Sequence, residues 1–511
     1  MSCPRIAEDV TAAALPVRFK ELLAAGHRLA LVAAHHDGPE CPDGAGLRVV
    51  YLFLAPDPAP GVELHLRLAA DDPVVPSLSG RSFVAGRFER EMHDLYGITP
   101  AGHLLPRRLV RHPHWPAGYY PMRWDGPPPE FGLADEPFPF LTVEGPGVYE
   151  IPVGPVHAGL IEPGHFRFSV IGETILKLKA RLWYVHKGIE KLFEGRELTG
   201  GLPLAERISG DTAVGHSLAY CCAVEDALGL RVPAAVHRAR AIHLELERLY
   251  NHIGDIGALC NDVGHGVLHA HAMRIRESLL RLNAETTGHR LLRGGVHIGG
   301  VTLRRVPDAD RLASIAADIR EVAELAADNT LVAERFTGTA VLTTAEAHDL
   351  GTLGYVARAS GVDVDARRDH PTLDLSGFGA ALGDVLVVPT QERGDVMARF
   401  RQRVAEVDAS VALLDVLCRT VTPGSVNVMP DRESGRLGGS PVSGVGIVEG
   451  WRGTIVHRVE IGPDHRITRN KVVDPSWFNW PALPVALADT IVPDFPLVNK
   501  SFNLSYAGND L

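Results

Sequence analysis

The chain has 511 residues, too many for one ordinary hydrophobic core, so two or more domains are expected. Its composition, 45% hydrophobic and 22% charged, is that of a soluble globular protein. The 62 Asp and Glu against 51 Lys and Arg give a formal charge of -11, which excludes a general nucleic-acid binder relying on phosphate neutralisation.

Residues 1–125 read as a small α/β domain. RVVYLFLA (48–55) and ELHLRLAA (63–70) are expected as strands separated by a Pro/Gly turn, before the arginine-rich passage SFVAGRFEREMHDLYGITPAGHLLPRRLVRHPHWP. Residues 126–148 form a Pro/Gly-rich linker, and a second domain runs over 149–511. HFRFSVIG alternates like a strand. ETILKLKARLWYVHKGIEKLFEG (173–195) is expected as a long helix, with Ile175, Leu178, Leu182, Val185, Ile189 and Leu192 at helical spacing. Further helices are expected from Ala213 to Gly229, capped by Asp211 or Thr212, and through PAAVHRARAIHLELERLYNHIGDIGALCNDVG. Others follow in HAMRIRESLLRLNAETTG, 307–330 and 394–420. GIVEGWRGTIVHRVEIG reads as a hairpin. The class is therefore α+β, a small α/β domain followed by a mainly helical one.

No run reaches the roughly 18 apolar residues of a membrane span, and MSCPRIAEDV lacks the pattern of a signal peptide. Any membrane association is expected through partners. The six cysteines, Cys3, Cys41, Cys221, Cys222, Cys260 and Cys418, form no CxxC and read as buried free thiols. Nucleotide-loop and zinc-protease motifs are missing, and Ser209 lacks the context of a catalytic serine.

Glu245, Arg248, His252 and Asp255 share a helix that is apolar on its other faces, so they are expected to be paired in a structural ion network. A proton route is the alternative. His157 and Glu162 flank one turn and form a candidate proton-transfer pair. His186 and Glu190, at i,i+4, are expected to support a helix.

Longer stretches carry a resemblance. SFVAGRFEREMHDLYGI, with Glu89, Arg90, Glu91, Asp94, Leu95, Gly97 and Ile98, resembles the signature of the 30-kDa subunit of respiratory complex I. From EIPVGPVHAGLIEPGHFRF onward the chain resembles the large subunit of membrane-linked nickel–iron hydrogenases and the 49-kDa subunit of complex I. LAERISGDTAVGHSLAY, LELERLYNHIGDIGALCNDVG, LLRGGVHIGGV and DPSWFNWPAL carry the match. The fused order is that of the formate hydrogenlyase large subunit.

In such hydrogenases two CxxC pairs hold nickel and iron. The first falls here on Ser209 and Thr212, within Glu206–Thr212, and the second on Ser505 and Gly508. All four thiolates are lost, so the resemblance implies a chain without a normal nickel–iron centre. It also implies that Glu162 matches a proton-relaying glutamate. Arg452 matches an arginine leaning over the metals, with Trp451 in place of a proline. Without metals, Arg452 is expected to need another anion, Glu449 or a bound ligand. In the quinone-reducing relative, a histidine falls on His157 and a tyrosine on Gly210; Tyr506 stands near as a substitute. The resemblance further implies an iron–sulfur small subunit holding a four-iron cluster, antiporter-like membrane subunits, and a peripheral place on the cytoplasmic side of the membrane. SFNLSYAGNDL ends about where processed hydrogenases end, so no removable tail is expected.

Two readings follow from this. Reduction of a quinone or other small acceptor, with His157, Glu162 and Arg452 in the site, requires an open cleft. A structural or coupling role instead requires the region to be filled by Trp451, Trp477, Phe478 and Tyr506.

Overall fold

The computed structural model describes residues 4–38, 46–55, 59–126, 128–132, 137–158, 161–373, 386–427 and 441–511. Strands β1 (Arg5–Asp9), β2 (Arg28–Asp37), β3 (Gly46–Leu54) and β4 (Gly61–Leu68) form a sheet in the order β1-β4-β3-β2, with only the β1–β4 pair parallel. Helix α1 (Leu15–Ala24) joins β1 to β2, and α2 (Phe83–Tyr96) carries the ERE signature. Ser82 caps α2, and Gly97 ends it at φ +74°, where a Cβ would also strike the Tyr120 ring. Short strands β5 (Val74–Pro76) and β6 (Thr99–Ala101) flank this helix.

A second sheet, β7 (Val148–Val153), β8 (His165–Ile171) and β9 (Thr174–Arg181), is antiparallel throughout. Here the expectation of a helix over 173–195 is corrected. Residues 174–181 pair along β8, and only the short α3 (Ile189–Phe193) is helical. The run TILKLKA satisfies a period of two as well as one of 3.6, and the neighbouring β8 supplies ladder partners that outweigh local propensity.

Short α4 (Leu198–Ala205) precedes α5 (Ala213–Leu228), α6 (Ala234–Asp262), α7 (Gly266–Thr287) and α8 (Ala309–Asp328). These long helices match the expected ones closely, except that α7 begins five residues earlier and the short α4 is additional. A small sheet of β10 (Val296–His297), β11 (Gly300–Leu303) and β12 (Gly424–Asn427) lies between them, and α9 (Val396–Cys418) packs against α6 and α8. The expected hairpin is β13 (Val442–Gly450) and β14 (Gly453–Ile461), extended by β15 (Ile467–Val473). The chain continues through α10 (Pro475–Asn479), α11 (Phe495–Phe502) and α12 (Tyr506–Asp510).

Cys221, Cys222 and Cys260 are buried free thiols and Cys418 is half-buried; Cys3 and Cys41 lie outside the described residues. Among the described residues, no helix is long and apolar enough to cross a membrane.

Candidate functional site

Three segments converge where the metal ligands of the resembling hydrogenases would lie: the loop before α5, the β13–β14 turn and the start of α12. Glycines in β13 fix the first two together. A Cβ on Gly446 would lie 1.9 Å from the Ala219 carbonyl oxygen, and one on Gly444 2.0 Å from that of Ala223. The strand therefore lies flush on α5. This contact carries the turn residues Trp451 and Arg452 to the N-terminus of that helix.

Ser209 donates its hydroxyl proton to Asp211 Oδ1 at 2.8 Å. Its oxygen lies 2.8 Å from Ser505 Oγ, so Ser505 is the donor of that bond. Ser505 Oγ in turn accepts the Gly508 N–H at 2.8 Å as the N-cap of α12. Thr212 donates to Asp211 Oδ1 at 3.0 Å, while the Trp451 indole N–H reaches Thr212 Oγ1 at 3.2 Å and the Asp211 carbonyl at 3.1 Å. Arg452 grips Asp211 with both terminal nitrogens, at 2.8 and 2.6 Å, and donates from Nε to the Asn503 carbonyl at 2.6 Å. Burial opposes the charge on Asp211, but Arg452 and the two hydroxyls outweigh it and hold the carboxyl below its usual range.

The anionic partner of Arg452 is thus Asp211, not Glu449. Glu449 has other partners, accepting Arg358 Nη1 at 2.8 Å and Thr454 Oγ1 at 2.9 Å. The capping expectation is corrected as well. Neither Asp211 nor Thr212 caps α5 through its side chain; the Glu247 carboxylate on α6 accepts Val214 N–H at 2.7 Å and Gly215 N–H at 2.9 Å. Burial pushes the Glu247 carboxyl up to about 8. A cap supplied across two helices has no local sequence signal.

His157 and Glu162 are directed to different groups. His157 Nε2 bonds the Gly164 carbonyl at 2.7 Å, whereas Glu162 accepts the Ala507 N–H at 3.2 Å, at the start of α12. Tyr506 is buried edge-on against Trp480 with ring centroids 4.8 Å apart. Any Cβ on Gly164 would lie 2.5 Å from its ring. Gly210 is exposed, and a Cβ there would meet nothing within 4 Å. The four aromatic residues expected of a closed site, Trp451, Trp477, Phe478 and Tyr506, are all buried.

A second polar group, unmarked in the sequence, adjoins α12. Asp474 accepts the Ser476 N–H at 2.7 Å and His216 Nε2–H at 3.0 Å. His216 Nδ1 lies 3.2 Å from His457 Nε2, and His457 Nδ1 lies 3.4 Å from Asn470 Nδ2. With both imidazoles neutral, every bond in this row has one donor and one acceptor.

The α6 residues are paired, as the burial argument requires. Glu245 takes Arg248 and Arg367 at 3.0 Å each and the Ser410 hydroxyl at 2.7 Å. His252 bonds Glu406 at 2.8 Å; Asp255 bonds Arg403 at 3.1 Å and Asn503 Nδ2 at 2.7 Å. His186 and Glu190, by contrast, do not pair along a helix. His186 precedes α3 and bonds the Asp510 carbonyl, while Glu190 bonds Arg469 at 2.7 Å.

The α2 signature residues organise their own surroundings. Glu89 accepts Ser77 Oγ at 2.6 Å and Leu78 N–H at 2.5 Å. Arg90 donates to the carbonyls of Arg107 and Arg108, and Asp94 collects the N–H groups of Leu109, Val110 and Arg111. Glu91 reaches Lys471 on β15 at 2.8 Å, and Arg87 donates to the carbonyl of Trp477 on α10.

The Ser, Thr and Gly set does not fit a nickel–iron centre. It offers neutral hydroxyls already engaged with neighbours and, at Gly508, no side chain.

Comparison with known proteins agrees with this architecture. The family described as the respiratory-chain NADH dehydrogenase 30 Kd subunit matches residues 7–131, and that of the 49 Kd subunit residues 262–435. The chain is 30% identical over 470 residues to formate hydrogenlyase subunit 5 of Escherichia coli, covering 88% of this chain and 79% of that protein. It is 32% identical over 457 residues to hydrogenase-4 component G of the same organism, covering 86% and 76%. The C/D subunit of NADH-quinone oxidoreductase from Phocaeicola vulgatus is 30% identical over 405 residues, covering 74% and 76%. The membrane-bound sulfane sulfur reductase, an archaeal respiratory membrane complex, shares the fold with a TM-score of 0.64 at 23% identity, covering 71% of this chain and 99% of that one. The chain belongs to the family of joined 30-kDa- and 49-kDa-type subunits of complex I-related respiratory complexes, alongside those of formate hydrogenlyase, hydrogenase-4 and NADH-quinone oxidoreductase.

Proposed function

We propose that the chain is a coupling subunit of a membrane-associated redox complex and works without a nickel–iron centre. The direct Ser209–Ser505 hydroxyl contact carries this reading, because a metal pair held from these two positions needs the space that the contact closes. Arg452 and Trp451 support it by making their bonds within the protein, to Asp211 and Thr212. On this reading an iron–sulfur small subunit with a four-iron cluster docks beside the site, antiporter-like subunits lie in the membrane, and the chain sits on the cytoplasmic side.

A second reading, reduction of a quinone or similar small acceptor, is favoured by one observation. Exposed Gly210 and half-buried Asp211 form an edge beside the ion pair, with open space at Gly210. His157, Glu162 and Arg452 would then position the acceptor and its protons. Purification of the intact complex decides between the readings. Iron without stoichiometric nickel, and no quinone reductase activity that depends on His157, is the expected result. Stoichiometric nickel overturns the metal-free site, whereas a quinone reductase rate that collapses in His157→Ala establishes the second reading.

A further inference from the structure

Of the four positions matching metal ligands, three retain a side chain and one does not. The neighbour of the missing one is Asp474. A Cβ built on Gly508 would lie 2.6 Å from Asp474 Cγ, 2.6 Å from Oδ2 and 3.0 Å from Oδ1. The two distances of 2.6 Å are closer than non-bonded atoms approach, and the third is a tight contact. The carboxylate thus occupies the volume through which any side chain at 508 must leave the backbone.

We infer that Asp474 excludes every side chain from position 508, so that the fourth ligand position is closed by its surroundings and cannot be reopened by restoring cysteines alone. The inference deepens the metal-free reading of the site and rests on it.

Asp474 has little freedom to retreat. Oδ1 holds the Ser476 N–H at the start of α10, and Oδ2 holds His216, whose other nitrogen meets His457. Asp474, His216, His457 and Asn470 are all buried, so a rotation of the carboxylate would strand polar groups away from water. Ser476 also bonds across to the other side of the site, its hydroxyl accepting the Ser505 N–H at 2.9 Å. Shifting α12 outward to admit a larger residue would break that bond. It would also break the one from Ala507 N–H to Glu162.

The backbone itself gives no reason for glycine at 508. Its φ lies outside the left-handed region, and it sits inside α12, where alanine is the better helix former. Asp474 is therefore what requires it, and the requirement is testable without any metal.

The experiment is a double-mutant cycle on the full-length chain: wild type, Gly508→Ala, Asp474→Ala and the double variant, compared by thermal denaturation. Gly508→Ala is expected to lower Tm, and the double variant to sit at or above Asp474→Ala, because the added methyl then has room. An unchanged Tm in Gly508→Ala, or the same loss with Asp474 already removed, overturns the inference. A second measurement adds cadmium(II) to chains carrying Ser209→Cys, Thr212→Cys, Ser505→Cys and Gly508→Cys, with and without Asp474→Ala. The thiolate charge-transfer absorbance is expected to titrate at least tenfold more tightly when Asp474 is absent. Equal affinity in the two chains overturns the inference. Neither measurement depends on the metal content of the native complex, so its outcome is separate from that of the functional reading.

Discussion

At Asp211, one residue explains how the Arg452 guanidinium stays buried. Arg452 has a nearly inaccessible side chain (4%), and Asp211 neutralises it from a position with 36% of its own side chain exposed. Asp211→Ala leaves the guanidinium buried and unpaired. The loss expected is about 2–3 kcal/mol, at the lower end for buried pairs because solvent already reaches the carboxylate. The acid side carries a sign. The folded carboxyl titrates below its ordinary value, so its contribution is present above about pH 4 and disappears as pH falls further. Urea denaturation from pH 6 down to pH 2 should therefore give a shallower decline in Asp211→Asn than in the wild type. Parallel curves would remove Asp211 from the acid sensitivity of the fold.

Among the elements, α2 shows how a signature motif acts. Its residues were legible as a set from the run ERExxDLxGI, but their partners were not, since Ser77, the 107–111 loop and Lys471 carry no pattern of their own. Long helices with continuous apolar faces, α5 to α9, could be read from spacing alone. The 173–195 segment could not, because its apolar residues fit both periods and the deciding partner, β8, is supplied by the tertiary fold. Within the site, motif register placed Ser209 and Ser505 together, while Asp474, His216 and Glu247 acquire their roles only where separate elements meet. In α2 a pH effect opposite to that of Asp211 is expected. Burial pushes the Glu89 carboxyl up to about 7, against the lowering effect of Ser77 and Leu78. A raised carboxyl stabilises the fold below its unfolded value near 4.5, and that stabilisation is lost as pH rises through about 7. Chemical denaturation across pH 5 to 8 should show a decline, on the order of 2–3 kcal/mol, that Glu89→Gln flattens. An equal decline in the variant would assign it to other groups.

Over the whole molecule, the first sheet and the β13–β15 sheet are joined by charge as well as by apolar packing. One buried apolar cluster runs from Leu15 to Tyr506. Beside it Glu63 and Glu460 hold Arg458 at 3.1 and 3.0 Å, and Arg48 joins Glu460 at 2.8 Å. Further along, Lys471 links Glu91 to Glu190 at 2.8 and 3.1 Å. Arg48, Glu63 and Glu91 lie hundreds of residues from their partners Glu460, Arg458 and Lys471, so exposing either sheet alone would strand several unpaired charges in addition to opening the shared core. That coupling makes partial unfolding unfavourable, and calorimetry of the full chain is expected to show one transition. Lys471 is the sensitive point, because it is the ion-pair partner that ties Glu91 on α2 to β15. Lys471→Met keeps the apolar stem and removes the charge, leaving Glu91 buried without its partner at a cost of about 3–5 kcal/mol. The transition should move down in temperature by several degrees and broaden as α2 loses its buried ion pair to β15. Two well-resolved transitions in the wild type would show that the charge networks decorate an interface which packing alone does not hold together.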